Sequence, residues 1–203
     1  MSAQGQSTRA RLIDATRLCV AHGGLLGATS RAITTEAGAN LAAITYHFGS
    51  KDSLVDEALT AEVGAWIEPA ITALTGDGDA VARMLRAAAA LGAAYTDARQ
   101  HVPIVVEALL ADARSSSTDT PTIALWRRVQ ALLRDEIGAL NAHGEIPAWV
   151  EPEVMAATIM SVAIGAAIAA AVDPQGPEPT RIGAQITLLL GAVYTGPASG
   201  TDA

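Results

Sequence analysis

Within Tyr46-His47-Phe48-Gly49-Ser50-Lys51 a phenol, an imidazole and an ammonium stand close together along the chain. Tyr46 and His47 can each donate a hydrogen bond to a phosphate oxygen. Lys51 falls in the first turn of a helix that Ser50 caps, where a cation opposes the helix dipole. A phosphate there would receive both the ammonium and the backbone N–H groups of the helix start, giving Lys51 a reason that local stability does not supply. This is the chemistry of holding an anion. Bond-breaking chemistry has little to work with: His22, His47, His101 and His143 are scattered without metal-ligand spacing, and the single cysteine, Cys19, reads as a filler on the inner side of the first helix. There is no glycine-rich phosphate loop, and Ser115-Ser116-Ser117 is a polar break rather than a nucleophile motif. No catalytic residue, metal or cofactor is expected, and an α-helical enzyme is a remote alternative.

These side chains need elements to aim them, and the flanking sequence reads as short helices. Thr8 to Ala21 forms a first helix ended by His22-Gly23-Gly24. Thr29 or Ser30 caps a second that stops at Gly38, and Asn40 caps a short third ending near His47. A tight turn, Ala37-Gly38-Ala39-Asn40, between two short helices has the form of a helix-turn-helix. Ile33 and Ile44 are spaced to pack across it, with Leu12 and Val20 beneath and Phe48 plugging the small core. Leu41, Ala42, Thr45 and Tyr46 are left on the outer side of the third helix. Further helices are expected from Ser50 to about Leu74, Ala80 to Gln100, His101-Val102-Pro103 to about Arg114, Pro121 to about Ala142, Pro152 to Val172 and Thr180 to Tyr194, with a loose tail from Gly196. No run alternates with period two for long enough to make a sheet, so the expected fold class is all-α.

Thr29-Ser30-Arg31-Ala32-Ile33, followed by Ala37-Gly38-Ala39-Asn40-Leu41-Ala42-Ala43-Ile44-Thr45-Tyr46-His47-Phe48-Gly49-Ser50-Lys51, resembles the DNA-binding signature of the TetR family of regulators. The resemblance covers about residues 9–60. It implies an all-helical homodimer acting as a ligand-released repressor on palindromic double-stranded operator DNA, with an activator of the same fold as the alternative. It also implies phosphate contacts for Thr29, Ser30, Tyr46, His47 and Lys51, base-edge contacts for Leu41, Ala42 and Thr45, and either role for Arg31. Thr34, Thr45 and Val20 stand where the family often has alanine, tyrosine and phenylalanine. The change at Thr45 favours a base contact over a phosphate contact.

Charge divides the chain in the same place. The net charge is −8, yet residues 1–51 carry five basic against two acidic side chains, and the remainder carries 8 against 19. Only the head suits a polyanion. The expected division is a helix-turn-helix domain at 1–50 and a dimerisation and effector-binding body at 51–203. Half the residues are apolar but only seven are aromatic, an alanine-rich composition that favours helices. One cysteine and no charged-then-apolar leader fit a cytoplasmic protein. Pro152 to Val172 is long and apolar enough to span a bilayer. Its acidic flanks, Glu151, Glu153 and Asp173, and its many small residues instead read as a helix of an oligomer core. Ser161, Gly165 and Ala169 recur every four residues on it. With Ile182, Ile186 and Leu190 of the last helix they make the expected dimer interface, as the family resemblance implies. Trp66, Met84, Tyr95, His101, Glu107 and Trp126 are the candidates to line a site for a small apolar or weakly polar effector.

Overall fold

A computed structural model describes residues 7–94, 98–173, 175–177 and 181. Among the described residues the regular elements are eight helices: α1 (Thr8–Gly27), α2 (Ser30–Glu36), α3 (Ala42–Phe48), α4 (Lys51–Leu74), α5 (Ala80–Ala94), α6 (Ala98–Arg114), α7 (Pro121–Ala142) and α8 (Pro152–Val172). The fold is all-α, as expected. Six starts use one device. The side chains of Ser7, Thr29, Asn40, Ser50, Asp79 and Thr120 each accept the backbone N–H three residues on, at 2.8–3.3 Å. Each satisfies a donor that a helix start would otherwise leave without a partner.

Two boundaries differ from the sequence reading. Helix α1 continues to Gly27 rather than ending at Ala21, with a kink at Gly24 (φ 61°, ψ −169°) after which helical turns resume. Glycine is favoured there because a side chain would be strained at that φ; its Cβ would also stand 3.0 Å from Glu107 Oε1 of α6. Helix α6 starts at Ala98 rather than His101 and carries Pro103 in its second turn. A proline there removes a helical hydrogen bond. The helix tolerates the loss because Val102, Ile104, Val105 and Ala108 bury one face at 2–4% exposure, and tertiary burial outweighs local propensity. Tyr95, the expected helix from Thr180 to Tyr194 with Ile182, Ile186 and Leu190, and the tail from Gly196 lie outside the described residues.

The chain forms two compact units, Met1–Glu68 with Arg99–Trp126, and Pro69–Ala98 with Arg127–Ala203. In the first, Leu12, Val20, Ile33 and Ile44 are 0–3% exposed, and Leu54, Ala58 and Val63 of α4 are 0–4% exposed. Among the described residues the same core contains one charged side chain. Glu62 of α4 is 1% exposed, and both Arg17 of α1 and His101 of α6 reach its carboxylate. A buried carboxylate is tolerable only when it is paired, so Glu62 ties three helices together. In the second unit Ile71, Leu74, Leu133, Ile137, Met160 and Ala167 are buried. There Arg83 donates two hydrogen bonds of 2.7 Å to Glu136, linking α5 to α7.

Asp56 on α4 is under electrostatic tension. Partial burial, reinforced by Asp52 one turn earlier and Asp112 of α6, pushes its carboxyl above the usual carboxylate range. The folded state therefore holds this proton more tightly than the unfolded chain does. Ionised Asp56 opposes folding at neutral pH, and that penalty fades as pH falls through the raised value and is gone below the unfolded one. Asp56→Asn is expected to raise Tm at neutral pH and to lose the advantage on acidification below the ordinary carboxylate range. Thermal melts of both proteins across that range check this, and a gain independent of pH would exclude the charge as its cause.

Candidate nucleic-acid interface

Helices α2 and α3 are each seven residues long, and the turn between them decides their relative orientation. Gly38 takes φ 57°. Its N–H reaches Thr35 O at 3.2 Å, and the Ala39 N–H reaches Thr34 O at 2.9 Å. These two bonds close the end of α2 as a Schellman motif, with glycine at the left-handed position. Arg11 of α1 lies over this turn, its Nη1 4.0 Å from where a Cβ at Gly38 would stand. Asn40 Oδ1 then accepts the Ala43 N–H at 2.9 Å and starts α3.

One face of this pair is sealed and the other is bare. Ile33 and Ile44 sit in the core, as their spacing required. On the outer side Leu41 is 62% and Tyr46 85% exposed, and Thr29, Arg31, Ala42 and Thr45 are exposed with them. Ser30 and His47 are half-buried. The His47 ring meets Tyr46 edge-on at 4.8 Å between centroids. Lys51, at the start of α4, remains 39% exposed with its Nζ 3.4 Å from Asp52 Oδ1. The ammonium thus has a local partner that the sequence reading did not include, although such an exposed pair contributes little. The structure brings Thr29, Ser30, Arg31, Leu41, Ala42, Thr45, Tyr46, His47 and Lys51 into one compact unit with α2, α3 and the start of α4.

Two core assignments need correction. Phe48 is half-buried rather than a core plug, because it is the last residue of α3. Its outer side is covered by the Arg9 guanidinium, 4.9 Å above the ring centroid, and Arg9 Nη2 also pairs with Glu57 Oε2 at 2.6 Å. Arg9 went unnoticed in the sequence because nothing local marks a contact that spans α1, α3 and α4. Cys19 is half-buried and lines a cavity of about 300 Å³ together with Leu18, His22, Gly23, Gly27 and Glu36. His22 Nδ1 is 2.8 Å from Leu18 O. Among the described residues no group of three His, Cys, Asp or Glu side chains is arranged to hold a metal.

The effector candidates are distributed unevenly. Trp66, His101, Glu107 and Trp126 belong to the first compact unit and Met84 to the second. Trp66 is 8% exposed, His101 is bound to Glu62, Glu107 abuts Gly24, and Trp126 is half-buried.

Residues 12–58 match the family model of bacterial regulatory proteins, tetR family. Over nearly its whole length the chain is similar to a putative transcriptional regulator from Pseudomonas aeruginosa, with 25% identity, 92% of this chain and 89% of that one covered, and a TM-score of 0.77. The segment 12–58 is thus a match to the TetR-family DNA-binding domain, and the whole chain has the fold of such transcriptional regulators. The chain shares its fold with the ketosteroid transcriptional regulator KstR2 of Mycobacterium tuberculosis, at 19% identity, 94% and 97% coverage and a TM-score of 0.68. It also shares the fold of a putative transcriptional regulator from Saccharomonospora viridis in complex with choline, at 17% identity, 93% and 96% coverage and a TM-score of 0.72. No curated protein matches the regulator.

Burial, followed by the charge of Glu36, pushes the Cys19 thiol above its ordinary value. The thiolate is the reactive form, so Cys19 is expected to alkylate more slowly than a free thiol at neutral pH, and Glu36→Gln to accelerate the reaction. Iodoacetamide labelling followed by mass spectrometry measures both rates. A native rate equal to that of free cysteine would contradict this account.

Proposed function

We propose that this regulator is a repressor that binds a palindromic operator as a homodimer and is released by a small molecule. Residues 1–50 act as the DNA-binding domain and residues 51–203 as the dimerisation and effector-binding body. The observation that carries the reading is the bare outer face of α3 above a sealed core: Leu41 and Tyr46 are 62% and 85% exposed, whereas Ile44 of the same helix is 3% exposed. Apolar groups held so far out of a core suit a partner surface. In a DNA groove, Leu41, Ala42 and Thr45 face base edges with methyls and a hydroxyl. Thr29, Ser30, Tyr46, His47 and Lys51 hold phosphates, and Arg31 serves either purpose. A protein with this work acts where the chromosome is, in the cytoplasm. Lys51→Ala should weaken binding to specific and random duplexes alike and reduce the salt slope by about one charge. Affinity titrated against salt concentration measures this, and an unchanged slope removes Lys51 from the phosphate contacts.

Helix α8 supports the homodimer. Among the described residues it is the one helix long and apolar enough to cross a bilayer, with mean hydropathy 2.1, yet only 22% of its most apolar window is buried. Ala156, Met160 and Ala167 are buried on one side, whereas Val154, Thr158, Ser161, Gly165, Ile168 and Val172 are all exposed at alternating steps of four and three. A stripe with that period suits a facing helix. Ala169 is exposed beside it. A two-fold mate would cover this face, and Ile182, Ile186 and Leu190 would add to the contact. Two heads so joined read half-sites about one helical turn, ~34–36 Å, apart.

The small-molecule part of the reading draws on the Saccharomonospora viridis neighbour in complex with choline. Trp66, Met84, Tyr95, His101, Glu107 and Trp126 remain the candidates to meet the effector. The molecule must favour the state that does not fit DNA, since equal affinity for both states shifts nothing.

Gly165 tests the assembly. No atom lies within 4 Å of where its side chain would begin, so a larger residue fits the single chain. Gly165→Leu should therefore leave the protomer folded and separate the pair, at about 1–3 kcal/mol for each of the two symmetric sites. Light scattering reports the mass and a duplex titration reports the affinity. A variant that stays a tight dimer and binds DNA normally places the interface elsewhere.

A further inference from the structure

We infer that Arg9 is a positioning residue for DNA binding: it clamps the end of the recognition helix to α4 and does not itself neutralise a phosphate. The inference rests on the reading of His47 and Lys51 as phosphate contacts. Those two residues flank the link Gly49-Ser50, which joins α3 to α4. The link has little packing of its own. Gly49 takes φ 78°, and no atom lies within 4 Å of the position its side chain would occupy. Arg9 grips both sides of it. Its guanidinium lies 4.9 Å above the ring of Phe48, the last residue of α3, and its Nη2 is 2.6 Å from Glu57 Oε2, in the second turn of α4. One side chain from α1 thereby sets the spacing between the imidazole at the end of α3 and the ammonium at the start of α4.

The arrangement is poorly suited to direct phosphate binding. A carboxylate at 2.6 Å already takes up the charge of Arg9 and would repel a second anion brought to the same guanidinium. It is also a weak reason for global stability, since the side chains of Arg9 and Glu57 are 48% and 37% exposed and such pairs contribute little to folding. What remains is local order: the aromatic face and the carboxylate, neither movable without the other, fix one geometry of the link before DNA arrives. Arg9 lies three residues ahead of the segment 12–58 that matches the family.

The test uses the full chain and a duplex selected from a random pool by the wild-type protein. Affinity is measured against salt for wild type, Arg9→Ala, Arg9→Lys and Glu57→Gln, at physiological salt and above, where the long-range effect of a removed charge is screened. The expected result is that Arg9→Ala and Glu57→Gln each lose up to about fivefold in affinity per head, with the salt slope unchanged. Arg9→Lys, which keeps the charge, should recover part of the loss. In DNA-free protein, exchange of the amides hydrogen-bonded across the link, Gly49 to Thr45 O and Leu54 to Ser50 O, should quicken in Arg9→Ala and Glu57→Gln while the amides of α1 keep their protection. The inference is overturned if Glu57→Gln binds DNA as well as or better than wild type, because freeing Arg9 would then help. A slope reduced by about one charge in Arg9→Ala, or unchanged exchange at the link, also overturns it. A wild-type protein that bound no duplex would remove the phosphate roles of His47 and Lys51, and the exchange measurement would still decide whether Arg9 is a clamp.

Discussion

A seven-residue helix cannot hold itself in water, because the cost of nucleating it exceeds what so few hydrogen bonds return. Helices α2 and α3 are both of that length, so their existence depends on the small apolar contact beneath them, where Ile33 and Ile44 meet the buried Leu12 and Val20 of α1. The exposed face of α3 follows from this dependence. With its inner side committed to a core, α3 offers only Leu41, Ala42, Thr45 and Tyr46 outward, and it offers them on a rigid base. The caps at Thr29 and Asn40 and the Gly38 turn supply the backbone hydrogen bonds that so short a pair would otherwise lack.

Helix α1 carries that core on one side and a different obligation on another. Arg17 pairs with Glu62, the fully buried carboxylate of α4, and the His101 ring hydrogen-bonds to the same carboxylate. Pairs of this kind add little net stability over an apolar core of the same shape, but removing one partner strands a charge and is costly. The cluster therefore acts less as glue than as a register mark: α1, α4 and α6 satisfy it in one relative placement. Glu107 of α6 also approaches α1, its Oε1 3.0 Å from where a side chain at Gly24 would begin. The helix beneath α2 and α3 is thus specified against α6 chiefly by the Glu62 cluster.

What could be read from the sequence was whatever depends on neighbours along the chain. The caps, the Gly38 turn, the burial of Ile33 and Ile44 and the exposure of Leu41 and Tyr46 all follow from spacing within a few residues. What escaped involves partners brought together only by the fold. Arg9 and Glu57 are 48 positions apart, and Glu62 and His101 are 39 apart. His101 was marked as an effector candidate because a lone histidine in a central helix shows no sign of the carboxylate it serves. Pro103 suggested a helix start because local rules weigh the lost hydrogen bond and cannot weigh the buried Val102, Ile104 and Val105. Residue type suggests a core place for Phe48 and the inner side of α1 suggests one for Cys19, whereas the first lies at a helix end and the second beside a cavity.

The charge count shows the same difference between chain and fold, and it changes how the regulator must hold DNA. Residues 1–51 count five basic side chains against two acidic. Glu57 and Glu62, just beyond that segment, lie in the same compact unit and take up Arg9 and Arg17. Arg11 lies over the Gly38 turn with its Nη2 bonded to Thr8 Oγ1 at 3.2 Å. Arg9 and Arg17 are therefore engaged by carboxylates within the head and Lys51 has Asp52 beside it, whereas Arg11, bonded to a hydroxyl, keeps its charge over the turn. Attraction that releases counterions scales with the phosphates actually neutralised, so the long-range pull of this head is weaker than its composition indicates. On the proposed reading, neutral donors such as Thr29, Tyr46 and His47 then supply much of the grip. These bonds act only at contact distance and only when correctly aimed. A head of this kind gains its affinity from the geometry of a pre-set surface more than from charge, which is why the residues that fix α3 against α1 and α4 matter as much as those that touch DNA.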